Sequence, residues 1–365
     1  MKLKYIDALR GIAILAVIIV HTGQCGTNNY PGIVKTIIGH GAMGVQLFYL
    51  ASAFTLFLSY NYRKGSEINP KRNFFIRRFF RIAPMYYLGI IYYLFQNGFG
   101  PRYWLGDAQG ITLGNIISNI TFTHGVNPYW INSLVPGGWS ITVEMTFYAI
   151  VPFLFKKISS TNQAVNFTIL SLVFSIILRF ILFRFPIISD EVLWNNYLLL
   201  YFPNQIALFG LGITAYFMII KNDKKVTAFN YLIISALLIA HIIWSFIPVH
   251  FLFGLAFLTL ISSLSKHENP LLVNKLTIFL GKISYSAYLV HFAVLYWLTQ
   301  FEYVDFIRTQ GEITGLLNYL FRLILVVVIT SIISMALLKF IEQPFQKIGK
   351  KIIVKLEQTN IIVYN

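Results

Sequence analysis

The chain has 365 residues, 57% of them hydrophobic and only 12% charged, with a formal net charge of +16. Its mean hydropathy is +0.67, whereas a soluble domain of this length would carry about a quarter charged residues. A soluble globular protein is therefore excluded, and the positive charge reads as basic loops held on one face of a membrane rather than as a nucleic-acid surface. The single cysteine, Cys25, excludes an internal disulfide and any cysteine-rich metal site.

In chain order, ten apolar stretches are long enough, or nearly so, for a hydrocarbon layer of ~30 Å. They fall roughly at 5–22, 41–60, 82–96, 138–155, 165–185, 198–220, 228–246, 248–264, 278–299 and 316–341. The third and eighth are the shortest. Pro, Gly and charge clusters separate them. The predicted fold is therefore all-α, a polytopic membrane helix bundle. The first stretch follows Lys2 and Lys4, as a signal peptide would. However, Asp7 and Arg10 interrupt it and no small-residue cleavage site follows, so it reads as a retained first helix. The connection from 97 to 137 is the longest, with a short helix expected at 111–122.

Charge bias sets the orientation. With the N-terminus in the cytoplasm, most of the 29 Lys and Arg residues fall inside, including the cluster from Arg63 to Arg81 and the run from Lys339 to Lys355. Lys35, Arg102, Arg184 and Arg308 fall outside, and Arg179 and Arg322 lie within spans. The outer loops instead hold Asp107, Asp190, Glu191, Glu302, Asp305 and Glu312. Ten helices with both termini cytoplasmic follow, as a membrane domain over 1–345 and a basic cytoplasmic tail over 346–365.

Four places carry chemistry. Arg10 and His21 are eleven residues apart on the first span. Eleven steps of ~100° return to nearly the same helix face, ~16 Å further along. Charged and titratable groups inside a membrane usually mark a reaction or transport path, and an imidazole moves protons near neutral pH. His21 reads equally as an interfacial histidine bonded to a backbone carbonyl. Glu144 lies six residues into the span that opens with Gly138-Trp139-Ser140, at a depth similar to that of His21. An unpaired carboxylate there is costly. His21 is one natural partner, and Trp139, Ser140 or Tyr148 would serve a purely structural carboxylate. Arg77, Arg78 and Arg81 fall on about one helical face at the cytoplasmic surface. Guanidinium forks match phosphate oxygens, but composition alone favours a topology anchor on anionic lipid. Ser284, Tyr288 and His291 share a face of the ninth span at spacings of four and three. They line either a polar cavity or a hydrogen-bonded packing seam. No two histidines have metal-ligand spacing, and no phosphate-cradling glycine loop is present.

Taken together, these stretches resemble the acyltransferase family 3 membrane proteins, bacterial O-acyltransferases of surface polysaccharides. The resemblance is carried by Ile6-Asp7-Ala8-Leu9-Arg10-Gly11 with His21, by Gly44-Val45-Gln46-Leu47-Phe48 through Ser52-Ala53-Phe54, and by Arg77-Arg78-Phe79-Phe80-Arg81-Ile82-Ala83-Pro84. It continues in Gly138-Trp139-Ser140 through Glu144 with Tyr148 and Pro152, in Ser284-Tyr285 with Tyr288-Leu289-Val290-His291, and in Glu342-Gln343-Pro344. One block departs: the family usually has Ser-Gly-Phe where this chain has Ser52-Ala53-Phe54. Many relatives also carry a fused extracytoplasmic hydrolase-like domain, for which these 365 residues leave no room.

The resemblance implies an enzyme of the bacterial cytoplasmic membrane, transferring an acyl group, most often acetyl, from cytosolic acyl-CoA to a hydroxyl of a surface or lipid-linked sugar. No permanently bound cofactor or metal is expected; acetyl-CoA is the donor, and membrane lipids surround the chain. Arg10 and His21 correspond to the family's essential pair, with Glu144 beside them. Arg77, Arg78 and Arg81 become the dock for CoA phosphates. Trp139, Ser140, Tyr148, Ser284, Tyr288 and His291 become substrate-binding candidates, with Trp139, Ser140 and Tyr288 as candidate oxyanion donors. The pantetheine arm would rise past Arg10 towards His21, and the sugar would enter from the 97–137 connection. A transporter or flippase is the competing reading, since it too would use intramembrane charge.

Overall fold

The computed structural model describes residues 3–308 and 311–364, with side chains described as far as residue 359. The described residues form helices and connections only, in the order α1 (Lys4–Thr22), α2 (Gly32–His40), α3 (Gly44–Arg63), α4 (Pro70–Asn97), α5 (Leu113–Ile120), α6 (Gly138–Lys157), α7 (Thr161–Arg184), α8 (Glu191–Leu200), α9 (Phe202–Ile220), α10 (Ala228–Trp244), α11 (Val249–Lys266), α12 (Lys275–Gln300), α13 (Glu312–Leu337) and α14 (Gln343–Tyr364). A π-helical turn, Leu338–Glu342, joins α13 to α14.

Each of the ten expected spans lies on helix. Eight helical stretches among the described residues are long and apolar enough to cross a membrane. The other two expected spans lie on α4 and α10. The former is one continuous helix whose first half is the arginine-rich segment, with Pro84 inside it. The latter has 17 residues. The expected span at 198–220 is broken at Tyr201, whose extended backbone precedes Pro203 in the first turn of α9. The short helix expected within the long connection is α5. Local sequence starts several of these helices. Thr112, Ser160, Asp190, Thr227 and Asn274 each accept a hydrogen bond from a first-turn backbone N–H, satisfying one of the donors a helix leaves orphaned.

The chain divides into two compact units, one of residues 1–48 and 263–343, the other of residues 49–262 and 344–365. In the first unit α1 lies against α12 with their backbones in contact. A Cβ added at Gly11 would sit 1.9 Å from the Thr277 carbonyl oxygen, and one at Gly281 would sit 1.8 Å from that of Asp7. Small residues permit this approach, on which helix association in lipid depends. α13 joins them through Tyr319, whose hydroxyl donates to the Ile19 carbonyl at 3.2 Å. Arg322 of α13 is fully buried. It donates to the Val304 carbonyl at 2.7 Å and to Asp305 at 3.1 Å, while Asp305 accepts from Thr27 N at 2.9 Å. One intramembrane guanidinium thus pins two connections together.

The second unit is built round stacked aromatics, with Phe209 of α9 between Tyr49 at 4.7 Å and Phe147 at 4.0 Å. Ala53 is fully buried there, and a Cβ added at Gly212 of α9 would meet its methyl at 2.8 Å. The departure from the family's Ser-Gly-Phe is therefore accommodated by a glycine on the facing helix. The long connection is tied down by Arg102, which donates to the carbonyls of Ser133 at 2.9 Å and Gly98 at 2.6 Å. The C-terminal stretch, expected as a basic tail, is helix α14. Its Glu357 accepts hydrogen bonds from the Ile68 and Asn69 N–H groups and from Asn73 and Arg72 at the start of α4.

Candidate active site

In the first unit the chemistry gathers where α1 ends. His21 occupies the last turn of α1. The single-residue rise of a helix puts Arg10 three turns below it on a similar face. His21 Nδ1 lies 2.9 Å from Gln24 Oε1. With that amide oxygen as acceptor, Nδ1 carries the ring proton and Nε2 keeps its lone pair. Gln24 is reached because α1 ends at Thr22 and the following turn folds back, Gln24 N–H donating to the His21 carbonyl at 3.2 Å.

The ring is held from α12. Phe292 packs at 4.4 Å between centroids and His291 at 5.4 Å. His291 is fully buried. Its Nδ1 is 3.1 Å from the Ala287 carbonyl, and its Nε2 has no hydrogen-bond partner among the described residues. Tyr288 lies beside it at 5.9 Å. Ser284, one turn earlier, is buried, as Tyr288 and His291 are. Sequence reasoning missed Ser286, which donates to Glu342 of the closing Glu-Gln-Pro segment.

In the second unit Glu144 is half-buried on α6. One of its oxygens accepts from the Ser52 hydroxyl at 2.5 Å and from the Tyr148 hydroxyl at 2.5 Å. Two short hydrogen bonds thus satisfy a carboxyl oxygen that would be costly to leave unpaired here. Tyr148 is one of the structural partners, with Trp139 and Ser140, expected from the sequence. Ser52 is not, because it stands 92 positions away in sequence; only its place in the Ser-Ala-Phe block draws attention to it. The hydroxyl of Ser140 donates to the Gly137 carbonyl at 3.0 Å. Trp139 meets Tyr49 edge to face at 6.3 Å and packs on the cluster round Trp194 and Tyr197.

The three arginines of α4 differ from one another. Arg77 is held by both oxygens of Glu67, at 2.7 and 3.1 Å, so its fork is engaged within the protein. Arg78 turns inward, its guanidinium carbon 5.7 Å from the ring centres of both Phe74 and Tyr148. That places it next to the residue that binds Glu144. Its buried Nε has no hydrogen-bond partner among the described residues. Arg81 forms no ion pair among the described residues. The three are thus not equivalent cations: Arg77 is neutralised by Glu67 and Arg78 is packed against Phe74 and Tyr148. Among the described residues no group of three or more His, Cys, Asp or Glu gathers as metal ligands would.

Comparison with known proteins places the chain in a family. A sequence model described as an acyltransferase domain, that of the acyltransferase 3 family, matches residues 3–338. A putative acetyltransferase, ORF330, of Acidianus two-tailed virus is 25% identical over 298 residues, covering 78% of this chain and 81% of its own. The peptidoglycan O-acetyltransferase OatA of Listeria monocytogenes is 28% identical over 155 residues, 40% of this chain. The regulator of hypoxia-inducible factor 1 of Caenorhabditis elegans is 24% identical over 202 residues, 49% of this chain. The match spans 39% of the nematode protein's length and 23% of the Listeria protein's. No solved structure matches. With the family match running over nearly all of the helices described above, this chain belongs to the acyltransferase 3 family of multi-pass membrane proteins.

Proposed function

We propose that this membrane acyltransferase moves an acyl group, acetyl foremost, from cytosolic acyl-CoA to a sugar hydroxyl of a surface polysaccharide or its lipid-linked precursor, in a bacterial cytoplasmic membrane. The observation that carries the reading is the 2.9 Å contact between His21 Nδ1 and Gln24 Oε1. Gln24 occupies Nδ1, and Phe292 and His291 hold the ring, so Nε2 is the nitrogen left to act as a base. In direct transfer Nε2 takes the proton of the sugar hydroxyl as its oxygen attacks the thioester carbonyl. The C–S bond then breaks, and the imidazolium returns the proton to the CoA thiolate. Tyr288 supplies a hydroxyl on the same unit for the developing oxyanion. Arg78 and Arg81, which Glu67 does not neutralise, suit the donor's phosphates better than Arg77 does. The names of the viral and Listeria relatives support acetyl as the group and a cell-wall glycan as the acceptor class.

The experiment is transfer of label from acetyl-CoA to glycan by membranes containing the protein. His21→Ala is expected to insert and accumulate normally and to lose transfer by roughly 10²-fold or more, the usual worth of a general base. Gln24→Leu, which leaves the ring free to adopt the wrong tautomer, lowers kcat while donor KM stays within about two-fold. Transfer at the normal rate by purified His21→Ala protein would overturn the assignment. Membranes that neither transfer the label nor hydrolyse acetyl-CoA would favour a transporter.

A further inference from the structure

Within the second unit, α7, α9, α10 and α11 surround a partly open cavity of about 130 Å³. Val165 and Leu172 of α7, Leu211 of α9, Leu237 of α10, and Phe251 and Leu258 of α11 form its walls. The two hydroxyls on its lining are already used. Thr168 donates to the Ala164 carbonyl and Thr214 to that of Gly210, each on its own helix. The surface that lines the void is apolar throughout, so it stays dry, and voids of about 150 Å³ take up a benzene-sized apolar molecule. Hydrocarbon is what fits. The α10 wall is thin, since Asn230 is its only buried residue among those described, while Leu232, Ile239 and Ile242 face outward.

One end of this cavity lies under a fixed cluster of positive charge. Val165 is a single turn from Thr161, the first residue of α7. There the Thr161 N–H donates to Asp223 Oδ2 at 2.7 Å, and its hydroxyl donates to the Asp223 carbonyl. Asp223 thereby staples the connection between α9 and α10 across the end of α7. Its other carboxylate oxygen accepts from Lys225 N at 3.1 Å. Backbone hydrogen bonds hold the Asp223 carboxyl below the usual carboxylate range, so the staple stays charged at neutral pH. The stapled connection presents Lys221, Lys224 and Lys225, all exposed and none in an ion pair among the described residues. Thr214 is seven residues below Lys221 on α9, a rise of ~10 Å. The headgroup layer is only about 5–7 Å deep, so that depth is already hydrocarbon.

We propose that an anionic phospholipid of the leaflet on the basic side binds here, one acyl chain in the α7–α9–α10–α11 cavity and its phosphate on Lys221, Lys224 and Lys225. Apolar shape alone would accept any lipid; the three stapled lysines select for negative charge. The site is distinct from Glu144, Arg78 and Arg81, and it holds whether or not the proposed acyl transfer does.

The test uses the purified full-length protein, stripped of lipid in detergent and then given phosphatidylglycerol or phosphatidylcholine of identical chains. Retained phospholipid per protein and thermal unfolding are read together. Wild type is expected to retain about one phosphatidylglycerol and to gain several degrees in Tm, with at least a three-fold weaker response to phosphatidylcholine. Lys221→Gln, Lys224→Gln and Lys225→Gln combined, all at the surface, abolish the difference between the two lipids. Leu237→Trp fills the cavity from its loosely packed wall and removes the response to both, and Leu258→Phe fills it from the opposite wall should the first variant not fold. Equal response of wild type to the two lipids overturns the proposal. So does a filled variant that still retains lipid as wild type does.

Discussion

His124 sets a pH limit on the connection between α4 and α6. Its Nε2 lies 3.1 Å from the Gly138 carbonyl and 3.2 Å from the Tyr86 hydroxyl, and the residue is 1% exposed. Burial pushes its imidazole down to about 4, from an ordinary value near 6.5. The folded segment therefore binds fewer protons than the unfolded one between those two values. Its stability is fully present above about pH 6.5 and is lost progressively as pH falls towards 4, by on the order of 3 kcal/mol in all. Hydrogen exchange or limited proteolysis over residues 98–137 is expected to show local opening as pH drops from 7 to 4.5. His124→Gln, which cannot take up a proton, flattens that dependence; unchanged pH sensitivity in the variant would refute the account. None of this was legible in the sequence, where His124 is one of several histidines with no pattern. Its burial comes from α5 and the start of α6, which meet only in the folded unit. Tyr148, by contrast, stands on the same span as Glu144 and is one of the partners, beside His21, Trp139 and Ser140, that the sequence offers for it.

At the scale of elements, hydropathy carries most of the information. All ten apolar stretches became helix because lipid leaves a backbone no other way to satisfy its polar groups. Composition cannot show where two helices touch. The face assigned to Arg77, Arg78 and Arg81 was a helical-wheel inference, and Glu67, ten residues before Arg77, removed one member from it. Ala53 illustrates the same limit from the opposite side. Read alone, its methyl is an intrusion into a glycine-bearing motif, yet Gly212 makes room for it across α3 and α9. That pairing makes a prediction about packing. Gly212→Ala would bring a second methyl within 2.8 Å of Ala53 and within 2.4 Å of the Leu50 carbonyl oxygen. Overfilling of this kind costs about 1–3 kcal/mol, measurable as a lowered unfolding temperature in detergent. Ala53→Gly added to it restores part of the loss, since only the methyl contact is relieved and the carbonyl contact stays. If Gly212→Ala alone leaves stability unchanged, the two helices do not meet as described.

For the whole molecule the decisive property is charge asymmetry, because the function proposed, with its donor in the cytosol, needs the arginines of α4 on the cytoplasmic face. The helices fix which connections lie at the same end of a span, but it is the excess of Lys and Arg at one set of ends that orients the chain in a membrane. The segment between α1 and α3, which includes α2, holds Lys35 as its lone Lys or Arg, whereas α14 carries Lys347, Lys350, Lys351 and Lys355. Lys35 and Lys350 are both exposed, and the single native thiol, Cys25, can be replaced by serine without losing a disulfide. In a Cys25→Ser background, Lys35→Cys is expected to react with a membrane-impermeant maleimide on intact cells. Lys350→Cys is expected to stay unlabelled until the membrane is opened, and then to react fully. Two outcomes would be incompatible with the function proposed: labelling of Lys350→Cys from outside, or protection of Lys35→Cys. Either would put the arginines of α4, clasped to α14 by Glu357, on the face that coenzyme A does not reach.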